Sequence, residues 1–115
     1  MQRGDIYWAD LMPRSGAEQR GRRPVLIVSH DGFNHTPSWR SIIVVPLSTS
    51  TAQAQRGPTA VPLSQGAGGL PQDSVALCHQ VTTLDRAKLT QRVGTLSPML
   101  LLQIEEGLKA ALDLP

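Results

Sequence analysis

The chain has one cysteine, Cys78, in 115 residues, which excludes an intrachain disulfide framework. Aromatic rings number four, Tyr7, Trp8, Phe33 and Trp39, too few to fill a core and also build a stacking platform. The longest apolar runs, such as Val25–Val28 and Ile42–Val45, fall far short of the ~20 residues that span a bilayer. No apolar run follows Arg3 as a signal peptide would require. His30, His35 and His79 lack the tight spacing of metal ligands, so no metal site is expected. Gly66-Ala67-Gly68-Gly69 lacks the lysine and helix that would make it a phosphate loop. These absences lead us to expect a single domain, residues 1–115, soluble in a reducing cytoplasm, with neither metal nor cofactor.

Hydrophobic residues make up 40% and charged ones 17%, a composition that folds rather than one that stays disordered. Net charge is only +2, but it is unevenly spread. Residues 1–56 hold seven arginines, no lysine and four acids (7 − 4 = +3). Residues 57–115 hold two arginines, two lysines and five acids (4 − 5 = −1). Arginine suits planar, two-pronged recognition of phosphate or carboxylate. Four guanidiniums, Arg14, Arg20, Arg22 and Arg23, lie in one glycine-containing stretch.

Periodicity predicts strands at Asp5–Asp10, Pro24–Ser29, Ile42–Leu47, Val61–Leu63, Ser74–Val81 running on through Thr83, and Arg92–Leu96. Short strands broken by Gly/Pro-rich turns indicate a small antiparallel sheet or barrel. Leu11–Arg23, Ser48–Pro58 and Ser64–Asp73 read as loops. Helices are expected only late: a short one at Asp85–Gln91, then a longer one with Ser97 as N-cap and Pro98 at the first helical position. Leu101, Ile104, Leu108, Ala111 and Leu112 form its apolar stripe. Gly107 weakens it by about 1 kcal/mol relative to alanine.

Arg23 abuts Pro24 at the mouth of a strand, so its position is set by the sheet rather than by the loop. Ser48-Thr49-Ser50-Thr51 follows the strand ending at Leu47, where hydroxyls can donate to a phosphate or to an attacking oxygen. That signal becomes informative only if Ser48 or Thr49 lies beside Arg23. Ser29, His30 and Asp31 are consecutive and, on a strand, point to alternating faces, so they cannot converge as a triad. Cys78 reads as a small core residue. Phe33 and Trp39, set among polar neighbours, are expected in a loop where either could stack on a base.

Four segments in order carry a resemblance. Arg3-Gly4-Asp5-Ile6-Tyr7-Trp8-Ala9-Asp10-Leu11 resembles the opening strand of the MazF/PemK (Kid) toxins. Residues 16–29, from Gly16 through Arg23-Pro24-Val25-Leu26 to Ser29, are similar to their basic loop and second strand. Val44-Val45-Pro46-Leu47-Ser48-Thr49 and residues 73–85 complete the pattern. The resemblance implies a mainly β fold with some α, a small SH3-like β-barrel with short helices and a C-terminal helix, forming a homodimer. It also implies a sequence-selective, metal-independent endoribonuclease (mRNA interferase) that cuts single-stranded RNA under the control of an antitoxin. The family pattern makes Arg23 catalytic and puts a hydroxyl at Ser48, where many relatives carry threonine; Thr49 is the alternate. RNA contacts map to Glu18, Gln19 and Arg20, then Gln80 and Thr83, with Arg14 in the same basic loop. A non-catalytic toxin resembling CcdB, which binds DNA gyrase, is the competing expectation; a plain RNA-binding module is a third.

Overall fold

A computed structural model describes residues 1–11, 21–50, 52, 55 and 57–115. Seven strands form one antiparallel sheet: β1 (Asp5–Leu11), β2 (Gly21–Ile27), β3 (Ser41–Ser48), β4 (Ala60–Leu63), β5 (Ser74–Leu77), β6 (Thr82–Asp85) and β7 (Leu89–Thr95). Two helices join them, α1 (Asp31–Asn34) and α2 (Pro98–Leu112). Strand order is β4-β5-β3-β2-β1-β7, with β6 also on β3. No β4–β7 pairing joins the two ends, so the expected barrel is a rolled, open sheet.

β2 and β3 carry apolar residues on consecutive positions because both of their faces are buried. Leu26, Val45 and Leu47 pack with Ile6, Cys78 and Ile104 in the main core. Their chain neighbours Val25, Ile27, Ile42 and Val44 pack with Ala9 in a second cluster. Each such side chain contributes about 1.5–3 kcal/mol when fully buried.

β3 pairs with β2 along one edge; the other edge is shared by β6, opposite Ser41–Val44, and β5, opposite Leu47–Ser48. The single strand expected over Ser74–Thr83 is therefore two. Paired residue numbers sum to 123 in Leu47↔Ala76 and to 126 in Val44↔Thr82, a difference of three residues. Those three are the 3₁₀ turn Cys78–Gln80. The break falls opposite Val45 and Pro46, where proline has no N–H to give to a ladder.

The second strand ends at Ile27 rather than Ser29, because the chain turns into α1, a helix the periodicity did not foresee. Ser29 Oγ donates to Asn34 Oδ1 (2.5 Å), and Asn34 Nδ2 donates back to the Ser29 carbonyl (2.8 Å). His30 Nδ1 accepts from the Gly32 amide (2.8 Å). Ser29 and His30 thus build a helix start, and Asp31 is its first residue. The loop after α1 is fastened from afar: Arg86 donates to the carbonyls of Phe33, Asn34, Thr36 and Trp39, each at 3.0 Å. Phe33 and Trp39 do not wait singly for a base; they stack on each other, centroids 4.6 Å apart. The short late helix shrinks to the 3₁₀ turn Arg86–Lys88, with Asp85 capping Ala87 as its N-cap (2.8 Å), and Leu89–Gln91 joins β7.

α2 starts as expected, with Ser97 Oγ accepting from the Leu100 amide. Leu112 is a correction: it is 53% exposed. Eight residues beyond Ile104, it has rotated about 80° off the buried line at 3.6 residues per turn. Gly107 is buried and has a packing role. A Cβ there would lie 2.7 Å from Cys78 Sγ and 2.8 Å from Val61 Cγ2. The missing side chain lets α2 press against the Cys78–Gln80 turn. Burial pushes the Cys78 thiol up to about 11, so it stays protonated at neutral pH.

Gly107→Ala should therefore destabilise the fold by about 1–3 kcal/mol, as overpacking does, despite alanine's better helix propensity. Cys78→Ala in the same chain should recover part of the loss in urea unfolding.

Candidate active site

Two prolines shape the end of the β2–β3 ribbon. Their ladder runs through Ile27↔Val44, Leu26↔Val45 and Val25↔Pro46 and stops there. Pro24 is next, and without an N–H it cannot continue the ladder. Extended by two positions, the same register sets Arg23 opposite Ser48. The strand ends bound a groove of about 420 Å³ lined by Trp8, Arg23, Pro24, Leu47, Ser48, Thr49 and Ser50. Leu70, Pro71, Gln72 and Ser74 line it too. The juxtaposition on which the Ser48–Thr49 signal depended is present.

The Arg23 side chain makes no ion pair or hydrogen bond among the described residues, so its guanidinium is uncommitted. β1 holds it in line through Ala9↔Arg23, while its neighbour Arg22 lies over the Trp8 indole, 4.8 Å from the ring centroid. Arg22 Nη2 also donates to Gln91 Oε1 (3.2 Å). Ser48 Oγ accepts from the Ser50 amide at 3.1 Å, which leaves its own proton to donate. Pro24 and Pro71 offer the groove no main-chain N–H, and that of Ser50 is taken. A guanidinium fork with a hydroxyl beside it fits a tetrahedral phosphate.

A second hollow, about 450 Å³, lies across the ribbon. Its floor includes Val25, Val44 and Pro46; its rim carries Asp10, His79, Gln80, Thr82, Thr83, Asp85 and Lys88. Pro24 and Leu47 line the first cavity, and the adjoining Val25 and Pro46 line the second, so a single ribbon separates them. Gln80 and Thr83 both line this second hollow. Arg14, Glu18, Gln19 and Arg20 lie outside the described residues. The Asp85 carboxyl accepts from the Ala87 amide and from Arg40 Nη2 (2.9 Å). These bonds hold its pKa below the ordinary aspartate value, the backbone bond contributing most.

Sequence reasoning missed the wall from Leu70 to Gln72 and the rim groups Asp10, His79 and Lys88. The wall had a signal in its glycines. A Cβ on Gly94 would run into the Gly68 carbonyl, and one on Gly69 would sit 2.7 Å from the Val93 carbonyl. The loop must therefore dock on β7, which brings its Pro71 end to the groove.

The family model described as PemK-like, MazF-like toxin of type II toxin-antitoxin system matches residues 2–112. The chain is 36% identical over 114 residues to endoribonuclease MazF6 of Mycobacterium tuberculosis, covering 99% of this chain and 98% of that protein. It is 35% identical over 115 residues to endoribonuclease EndoA of Bacillus subtilis, covering 99% and 96%. Its fold is similar to that of an endoribonuclease from a mycobacterial species in complex with its cognate antitoxin, with TM-score 0.79, 27% identity and coverage of 100% and 97%.

Asp85 should titrate below about 3.9, the free aspartate value, in a side-chain NMR titration, and Arg40→Ala should raise its midpoint. Because folding lowers this pKa, the associated stability is present above that value and fades as acid passes through the folded midpoint.

Proposed function

Because the chain belongs to the family of PemK-like, MazF-like toxins of type II toxin-antitoxin systems, we propose that it is a sequence-selective endoribonuclease cutting single-stranded RNA, mRNA above all. The observation that carries this reading is the convergence of Arg23 with Ser48 and Thr49 in one groove. A non-catalytic protein binder has no need of that convergence.

The RNA supplies its own nucleophile. The 2′-oxygen attacks the adjacent phosphorus, a 2′-O–P bond forms and the P–O5′ bond breaks. The 2′-hydroxyl gives up its proton and the departing 5′-oxygen gains one. The products are a 2′,3′-cyclic phosphate and a 5′-hydroxyl end, with no external water consumed and no metal required. Arg23, charged at every working pH, neutralises the phosphorane-like charge through two hydrogen bonds. Ser48 donates its free proton to a phosphate oxygen or orients the 2′-hydroxyl; Thr49 is the alternate. Gln80 and Thr83 touch unpaired bases in the second hollow, and Arg14, Glu18, Gln19 and Arg20 contact RNA from the basic stretch. Unpaired bases can be splayed and read on their edges, which is how sequence selectivity arises.

The working unit is a homodimer acting in the cytoplasm and restrained by an antitoxin protein. Met99 and Leu102, 73% and 61% exposed on α2, supply apolar surface for protein contacts. Among the described residues no helix is long and apolar enough to cross a membrane.

Purified protein should cut an unstructured RNA in the presence of chelator and leave 5′-hydroxyl ends. Replacing the 2′-hydroxyl at the cut site by hydrogen should stop the reaction. Arg23→Ala should lower the rate by at least about a hundredfold, the usual effect of removing a preorganised donor, with circular dichroism unchanged. Undiminished cutting by that variant refutes the assignment. Comparing Ser48→Ala with Thr49→Val identifies the working hydroxyl.

A further inference from the structure

The Arg23 groove has more room and more apolar wall than a phosphate needs. Trp8 lines it, as do Leu70 and Pro71 of the glycine-docked loop, with the Gln72 amide at the edge. A phosphate gains nothing from an indole and a proline ring, whereas the flat face of a nucleobase does.

The parts are held in place before any ligand arrives. Arg22 lies over the Trp8 indole and is itself tied to Gln91. Opposite, the loop is closed by the Gly66 amide donating to the Leu70 carbonyl (2.8 Å) and by the Gln65 amide donating to Asp73 Oδ1 (2.8 Å). Ser74 Oγ donates to the Gln72 carbonyl (3.0 Å), which fixes the Gln72 main chain. The Gln72 side chain makes no hydrogen bond among the described residues and is exposed. An amide on a fixed main chain, with both its donor and its acceptor unspent, suits reading the edge of a base.

Resting on the ribonuclease reading above, we propose that the groove contains a nucleobase subsite in which a base adjoining the scissile phosphate stacks on Trp8 and has its edge read by Gln72. Gln80 and Thr83 serve a different base across the ribbon. The enzyme thus inspects bases on both sides of Arg23, and Gln72 determines specificity at one position beside the cut.

The test maps cut sites on one long unstructured RNA for wild type and Gln72→Ala. Among the described residues the Gln72 side chain makes no hydrogen bond, so the variant should fold normally. It should cut at additional sites, with base preference at one position next to the cleaved bond falling about tenfold, of the order that one lost base contact gives, and other positions unchanged. Retention of the full wild-type preference overturns the subsite. Independently, in a Trp39→Phe background Trp8 is the sole tryptophan. An RNA made uncleavable by a 2′-deoxy substitution at the cut site should quench its emission; binding without quenching also overturns the proposal. Wild-type protein that leaves RNA intact refutes the nuclease reading instead, which separates the two failures.

Discussion

Three antiparallel pairs between β2 and β3, ending at Val25↔Pro46, decide where Arg23 stands relative to Ser48. The register is held from both faces, since Leu26 and Val45 belong to one core and Val25 and Val44 to the other. A slip by one residue would exchange these sets and drive apolar groups into the wrong environment. The register therefore carries the cost of many buried side chains, while the groups at its open end carry little. A guanidinium in solvent is positioned by hydrocarbon several residues away.

Pro24 and Pro46 shape this ribbon into a candidate site. One stops the β2–β3 ladder and leaves the strand ends apart; the other stands where β5 gives way to β6. The resulting excursion, Cys78–Gln80, displaces Gln80 from a regular ladder into the second hollow. α2 supports it from behind through the close approach of Gly107 to Cys78. Sheet, turn and helix thus meet at the residues proposed to contact RNA.

Much of this was legible in the sequence, and for reasons that mark where legibility ends. Strands stood out where β-branched residues ran together, as at Ile42–Leu47, and α2 was marked at its start by Ser97-Pro98. Arg23 could be singled out because Pro24 tied it to a strand mouth. α1 could not be foreseen: four residues are too short to show a period, and the loop after them depends on Arg86, some fifty residues away. Nor could the chain alone show that Ser74–Thr83 is interrupted, because the cause is a proline on the partner strand. Leu112 fits the spacing rule but faces solvent in the last turn of its helix. The wall at Pro71 and Gln72 became visible only once Gly68 and Gly94 were seen in contact.

The side chains that meet in the groove, Arg23 with Ser48 and Thr49, concentrate responsibility for the proposed chemistry. Sites that hold anions on a row of backbone amides tolerate most single replacements, because every residue supplies the same group. With Pro24 next to Arg23 and Pro71 in the groove wall, the proposed grip falls on a few side chains. On the proposed mechanism, replacing Arg23 alone disarms the protein and leaves the scaffold whole. Such a silent copy would keep its other surfaces and compete with intact copies for whatever restrains them.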